Sequence, residues 1–352
     1  IDQYKKTYQE FIEITKNQLQ FQLSNNIPNL TQEAVSSSEI GILQKAIRNK
    51  SRGVSIRKLF DQIPTLLPRL KPCMLMSPIS VAQYFDVDTN HFDLVIFDEA
   101  SQLPTSEAIS ALARAKQAII VGDPKQMPPT SFFASTKIDE ENMELEDLES
   151  ILDDTLAISI PSKYLLRHYR SKHESLIAFS NANFYENKLL TFPSADDLDK
   201  KVTFEYISGH YDKGNTRTNK QEAEAIVLYI KNHLQSSKKE SVGVVTFSQT
   251  QQVLIEDLLQ KLYQENTSLE EKALQAVEPI FIKNLENVQG DERDIILFSI
   301  GYGADEEGKL SMNFGPLNRE GGWRRLNVAV TRARYEMKVF SSLKADQIDL
   351  NR

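Results

Sequence analysis

Apolar positions follow two rhythms along this chain. In residues 1–70 they recur at near-helical spacing: "YKKTYQEFIEITKNQLQFQL" places Tyr4, Tyr8, Phe11, Ile12, Ile14, Leu19, Phe21 and Leu23 without strand-like alternation. "SNNIPNLTQ" breaks this helix, and "SSSEIGILQKAIRNK" predicts a second one, with serines available as N-cap. From Pro72 the texture changes to short apolar runs separated by amphipathic stretches. "CMLM", "LVIF" and "AIIV" read as strands, the last two as buried parallel strands, and "ISVAQYF" and "TSEAISALARA" as the helices between them. An acidic stretch, "IDEENMELEDLESILDD", reads as a solvated connector with one amphipathic turn. Beyond it the alternation resumes. "VTFEYI", "VGVVTF", "PIFIKNL", "DIILFSI" and "MKVFSS" are strands; "ESLIAFSNANFY", "QEAEAIVLYIKNHL" and "SQTQQVLIEDLLQKLYQ" are helices, the last entered through Ser248 or Thr250. Strands alternating with helices mean parallel sheets covered by helices, an α/β fold. The expected organisation is a helical accessory region over 1–70, a first α/β unit over 71–155 and a second over 156–352.

Composition narrows what such a chain does. At 352 residues it is long enough for about two domains. Its formal net charge of −8 provides no overall field toward nucleic acid or anionic lipid, so any such contact must be a local basic surface. The single cysteine, Cys73, rules out an intrachain disulfide and a Cys-built zinc site, and suits a reducing compartment. The five histidines show no metal-ligand spacing. No apolar run approaches the ~18 residues of a membrane span, and the expected location is the cytoplasm.

Chemistry concentrates at strand ends. "LVIF" is followed at once by Asp98 and Glu99. Taken alone, an acidic pair there reads more often as a solvated strand end. "AIIVGDPKQMPP" is a second strand, with Asp123, Lys125 and Gln126 at its C-terminal end. Parallel strands of one sheet end on one edge, so Asp98, Glu99 and Gln126 are expected to converge on the crevice where open α/β sheets bind ligands. An acidic residue there suits Mg²⁺, and a neutral Gln suits a water or a phosphate. Arg167 and Arg170 precede a helix in "YLLRHYRSKHESL", and Arg332 and Arg334 lie in "LNVAVTRARYEMKVF". Arginine stabilises charge on a transferring phosphoryl group. On a helix Arg332 and Arg334 would point to different faces, while Arg325 and Arg332, seven apart, would share one. "NVQGDERDIILFSI" puts Gln289 and Gly290 in a turn, followed by Glu292, which can accept from a ribose hydroxyl.

Order and spacing carry more than any single piece. "VIFDEASQ", "VGDPKQMPP", "LRHYRSKHESLIAFSNANFYENKL", "NVQGDERDIILFSIGY" and "RRLNVAVTRARYEMKVF" resemble motifs II to VI of superfamily 1 helicases. The branch is that of the nonsense-mediated-decay RNA helicases, the replication helicase-nucleases and large bacterial AAA-domain proteins, and the resemblance runs over about residues 70–345. It implies two RecA-like parallel-sheet P-loop NTPase domains, an ATP-dependent helicase or translocase activity, and ATP with Mg²⁺. It further implies that Asp98 binds Mg²⁺, Glu99 activates water, Gln126 senses the γ-phosphate and Arg170 and Arg332 clamp it. Asp123, Gln289, Gly290 and Glu292 would face the nucleotide, and Ser77 and Thr130 single-stranded nucleic acid, DNA in preference to RNA.

One departure is large. No G-x-x-x-x-G-K-[ST] occurs anywhere in the sequence, so the backbone cradle for the β- and γ-phosphates is absent. The expectation is a first RecA-like domain that is incomplete, a Walker A segment upstream of Ile1 or on a complementing chain, and no ATPase activity from this chain alone. Glu286, where the family often has Asp, is a smaller departure. The alternative to a motor is a helicase-like scaffold that binds nucleic acid or protein without hydrolysis.

Overall fold

A computed structural model describes residues 1–29, 35–50, 53–87, 92–129, 149–196 and 198–348. Two compact units are present, one of residues 1–122 with 149–154, the other of 123–148 with 155–352. None of the described helices is long and apolar enough to cross a membrane.

In the first unit four helices precede the sheet: α1 (Asp2–Asn25), α2 (Glu39–Arg48), α3 (Ile56–Gln62) and α4 (Leu66–Leu70). Ser38 caps α2 as the serine run suggests, its hydroxyl accepting from Gly41 N at 3.1 Å. α1 buries none of its residues. Then follow α5 (Pro78–Tyr84), β1 (Val95–Phe97), α6 (Thr105–Leu112) and β2 (Ala118–Ile120). β1 and β2 pair in parallel, Ile96 opposite Ile119. Phe97 packs inward with Ala100, Ala108, Ala111, Ile151 and Leu152. Ile96 and Ile119 stay 59% and 48% exposed, so only one face of this sheet is covered, and the expectation of a fully buried strand is corrected. The strand expected at "CMLM" is also absent: residues 74–77 are irregular and Leu75 is 98% exposed. An apolar run becomes a strand only by pairing its backbone, and among the described residues no segment pairs with it.

α7 (Ile151–Ala157) takes in the end of the acidic stretch, of which residues 138–148 lie outside the described residues. The second unit is a five-stranded, all-parallel sheet in the order β3-β7-β6-β4-β5. These strands are β3 (Val202–Tyr206), β4 (Val242–Thr246), β5 (Phe281–Asn284), β6 (Arg293–Ser299) and β7 (Ala333–Ser341). The helices are α8 (Ser175–Phe184), α9 (Lys220–Gln235), α10 (Gln249–Glu265), α11 (Thr267–Leu274) and α12 (Trp323–Val330). The interior strand β4 is buried at all five positions, as a strand covered on both faces must be. Val242 and Val244 face Ile226, Ile230 and Ile255 of α9 and α10, while Val245 faces Val328 and Ala329 of α12. Each such buried side chain contributes about 1.5–3 kcal/mol.

The C-terminal edge of this sheet is tied to two helix N-termini by buried polar groups. Glu222, on the first turn of α9, accepts from Ser299 Oγ at 2.6 Å and from Gly301 N at 2.8 Å. The Gln251 side chain reaches Asn219 N at 2.9 Å, and Asn219 Nδ2 reaches Ser342 Oγ at 2.7 Å. Burial pushes the Glu222 carboxyl up to about 8, the donors from Ser299 and Gly301 offsetting part of that. The folded chain therefore holds a proton on Glu222 that the unfolded chain releases above its ordinary value of 4.5. Stability is expected to fall between about pH 4.5 and about 8, by up to ~1.4 kcal/mol per pH unit from this group. Thermal denaturation from pH 5 to 8.5 checks this: Glu222→Gln, which stays neutral, should flatten the slope, and an unchanged slope contradicts the assignment.

Candidate functional site

β1 delivers Asp98 and Glu99 at its C-terminal end, and both carboxylates are exposed. Asp98 Oδ1 accepts from Glu99 N at 3.0 Å. Glu99 itself adopts the left-handed conformation, φ +51°, which costs a side-chain-bearing residue about 1–3 kcal/mol and marks the turn as constrained. The next residues form a 3-10 turn, Ala100–Gln102, whose Ala100 N donates to Val121 O at 2.9 Å. Gly122 permits that approach: a Cβ there would sit 2.9 Å from Ser101 N. Ser77 is exposed at the start of α5, where its hydroxyl accepts from Ser80 N at 3.3 Å. Thr130 lies outside the described residues.

The turn from Asp123 to Gln126 makes its contacts within the second unit. Asp123 Oδ1 accepts from Lys125 N at 2.9 Å, and Oδ2 accepts from Gln126 Nε2 at 3.0 Å and from the Tyr185 hydroxyl at 2.6 Å. α12 grips the same turn. Arg324 Nε donates to Pro124 O at 3.3 Å, Asn327 Nδ2 to Lys125 O at 2.8 Å and to Tyr185 Oη at 3.0 Å. Lys125 Nζ stands 5.7 Å from the Trp323 ring centre, and Phe184 stacks on that ring at 5.1 Å. Met127 N donates to Gln289 Oε1 at 3.3 Å, which joins the turn to the loop before β6. Gly290 in that loop has φ +87°, so only glycine fits it without strain.

Arg170 Nε pairs with Glu292 Oε2 at 2.6 Å. Glu292 also meets Arg334 Nη1 at 3.4 Å, and Arg334 reaches Asp294 at 2.9 Å and both oxygens of Glu278. Arg334 thus anchors a carboxylate network, and it holds the Glu278 carboxyl down to about 2. Arg332 is 2% exposed and donates from Nε to Val328 O at 2.7 Å and from Nη2 to Thr331 Oγ1 at 3.0 Å. The helical-face expectation for these arginines is corrected. α12 stops at Val330 because the Thr331 hydroxyl donates to Asn327 O and Val328 O, and the chain then pairs as β7 from Ala333. Arg332 therefore sits in the bend and Arg334 on a strand. Arg325 remains on the helix, 2% exposed, with Nε 2.6 Å from Glu286 Oε1. Burial, then the charges of Arg170 and Arg332, lower the His168 pKa, so both guanidinium groups lie within electrostatic reach of one imidazole.

Tyr185, Asn327 and the Lys125–Trp323 contact went unmarked in the sequence. Aromatic runs such as "FSNANFY" read by default as core, and nothing local to "NANFYENKL" marks a hydroxyl contact to a residue 62 positions away. A different stretch looks like a phosphate loop and is not one. "GADEEGK" (303–309) has the G-x-x-x-x-G-K spacing but continues with Leu310. In the structure Asp305 Oδ1 already accepts from Glu307 N at 3.1 Å and Lys309 N at 2.8 Å, so those amides are unavailable to an anion.

Each unit by itself carries residue types that an Mg²⁺-nucleotide calls for. Mg²⁺ takes oxygen ligands and keeps several waters, which suits a single exposed Asp98 completed by phosphate; among the described residues no group of three or more His, Cys, Asp and Glu gathers into a self-sufficient metal site. Gln126, Arg170 and Arg332 are the residue types that meet a phosphoryl group and its attacking water.

A family model described as AAA domain matches residues 148–344, and a second of the same description matches residues 76–133. An uncharacterised ATP-dependent helicase of Mycoplasma genitalium, MG140, is 38% identical over 298 residues, covering 80% of this chain and 26% of its own length. The ATP-dependent helicase upf1 of Schizosaccharomyces pombe is 27% identical over 72% of this chain and 27% of its own. The DNA replication ATP-dependent helicase/nuclease dna2 of the same yeast is 24% identical over 81% of this chain and 21% of its own. The chain thus spans about a quarter of the length of these relatives. It belongs to the AAA-domain helicases, on the superfamily 1 branch that includes upf1 and dna2.

Proposed function

We propose that this chain carries motifs II to VI of an ATP-driven helicase core that moves along single-stranded nucleic acid, DNA in preference to RNA, in the cytoplasm. The observation that carries the reading is the second unit's assembly of the Asp123–Gln126 turn with α12 and the Gln289–Glu292 loop, the same loop that Arg332 reaches at Asp291 O and Arg170 at Glu292. A scaffold has no physical need for this set. Asp98 would hold Mg²⁺, which supplies charge neutralisation on the β- and γ-phosphate oxygens. Glu99 takes the proton of the attacking water and Gln126 orients that water. Arg170 and Arg332 stabilise the charge that develops on the phosphoryl oxygens. Glu292 aims Arg170 through their ion pair, and its remaining acceptor capacity suits a ribose hydroxyl. Asp123 and the Gln289–Gly290 turn position these groups. Ser77 and Thr130 belong to the nucleic-acid side.

The sequence has no G-x-x-x-x-G-K-[ST], so turnover needs a phosphate cradle from another polypeptide segment or another chain. Steady-state ATP hydrolysis, with single-stranded DNA, with RNA and with neither, tests the proposal. It is measured on this chain and on a form of the polypeptide carrying a Walker A loop. DNA-stimulated turnover in the second form alone is the expected result. Turnover by neither leaves a scaffold, and turnover by this chain itself would show that the missing cradle is not needed.

A further inference from the structure

We infer that Tyr185 is a positioning residue for ATP hydrolysis, fixing which way the Gln126 side-chain amide faces. The inference rests on the reading of Gln126 as the water-orienting group and adds the residue that orients it. A glutamine amide has a donating and an accepting end, and its use depends on which one meets the reacting water. Asp123 is acceptor-only when ionised, so the 3.0 Å contact to Gln126 must come from the NH₂ end. Oε1 of Gln126 is thereby turned away from Asp123 as a free-facing acceptor for a water proton.

That orientation holds only if the Asp123 carboxylate keeps its own. Tyr185 donates to the same Oδ2, at 2.6 Å. The tyrosine proton has one destination, because the hydroxyl oxygen already receives Asn327 Nδ2 at 3.0 Å. Asn327 is 1% exposed and its orientation is fixed in turn, since Nδ2 also serves the acceptor-only Lys125 O at 2.8 Å. The ring closes through the backbone from Lys125 to Asp123. Each member leaves the next a single arrangement, and the ring joins a turn, the end of α8 and α12. Burial, then the Asp123 charge, raises the Tyr185 pKa well above that of an ordinary phenol, so its hydroxyl remains a donor at working pH.

Removing the hydroxyl should be mild for the fold. In Tyr185→Phe, Asn327 Nδ2 keeps Lys125 O, and Asp123 keeps Lys125 N and Gln126. Asp123 is then free to turn, and Gln126 with it. The test is a double-mutant cycle in the polypeptide form that carries a Walker A loop, with ATP turnover measured under single-stranded DNA. Tyr185→Phe is expected to lower kcat about 10-fold, with KM for ATP within about 2-fold. In a Gln126→Ala background the same change should lower kcat no further, because the effect travels through Gln126. Natural kcat in Tyr185→Phe, or full additivity with Gln126→Ala, overturns the inference while leaving the Gln126 reading intact. Unchanged kcat in Gln126→Ala brings down that reading and this inference together. Trp323, the chain's one tryptophan, reports by fluorescence whether the variant retains the stacked arrangement with Phe184. If Tyr185→Phe does not fold, Asn327→Ala, which removes the amide that gives the Tyr185 proton its one destination, takes its place in the cycle. A lower kcat with no further loss in Gln126→Ala is then expected, and natural kcat or full additivity overturns the inference.

Discussion

Glu99→Gln is expected to lower ATP turnover by about 10²–10⁴-fold in a form of the polypeptide able to cradle the phosphates, with nucleotide affinity nearly unchanged. The substitution keeps the size of the side chain and removes its negative charge and with it its ability to take a proton. The local structure favours a clean result. Glu99 is exposed, and its left-handed backbone is held by the following 3-10 turn and by Ala100 N on Val121 O at 2.9 Å. Single-turnover hydrolysis beside equilibrium binding of a fluorescent ATP analogue separates the two quantities. A loss of binding equal to the loss of turnover would mean that Glu99 serves the metal or the nucleotide and is not the base.

Arg325→Ala should be the most damaging single change to the second unit. Arg325 is 2% exposed and its Nε lies 2.6 Å from Glu286, whose side chain is 17% exposed. Truncation leaves a carboxylate in a mostly buried place without its cation, and opens a void beneath α12. Losing one partner of a buried pair costs about 3–5 kcal/mol, and the partial exposure of Glu286 argues for the lower end. For a unit of ~200 residues, about 3 kcal/mol lowers Tm by about 6–12 °C. Arg325→Met with Glu286→Leu removes both charges and should be less destabilised than Arg325→Ala. Chemical denaturation of the two variants beside the natural chain checks the order, and equal losses in both variants would assign the effect to packing alone. The pair gives Glu286 a structural task.

How much of this was readable in the sequence depends on how local each cause is. β4 and β6 were legible because strands covered on both faces are apolar runs with no polar alternation, and α9 and α10 because their caps and periodicity lie within one segment. "CMLM" misled because the same apolar signal holds whether or not a partner strand is present. Arg332 and Arg334 were misassigned to helix faces because Thr331 ends α12 by a side-chain bond that periodicity does not register. Asp98, Glu99 and Gln126 stood out as polar residues at strand ends. Tyr185 and Asn327 did not, since their roles are contacts spanning 62 and 202 positions, and an aromatic beside a helix end or an Asn inside a helix has many bland explanations.

The most direct measurement is displacement of a labelled strand from a DNA duplex with single-stranded tails, using the polypeptide form that carries a Walker A loop. With ATP and Mg²⁺, strand release is expected from tailed duplexes, is lost with a non-hydrolysable analogue and is lost in Glu99→Gln. Strand release that is equal with the analogue, or that survives in Glu99→Gln, would contradict an ATP-driven motor built on these residues.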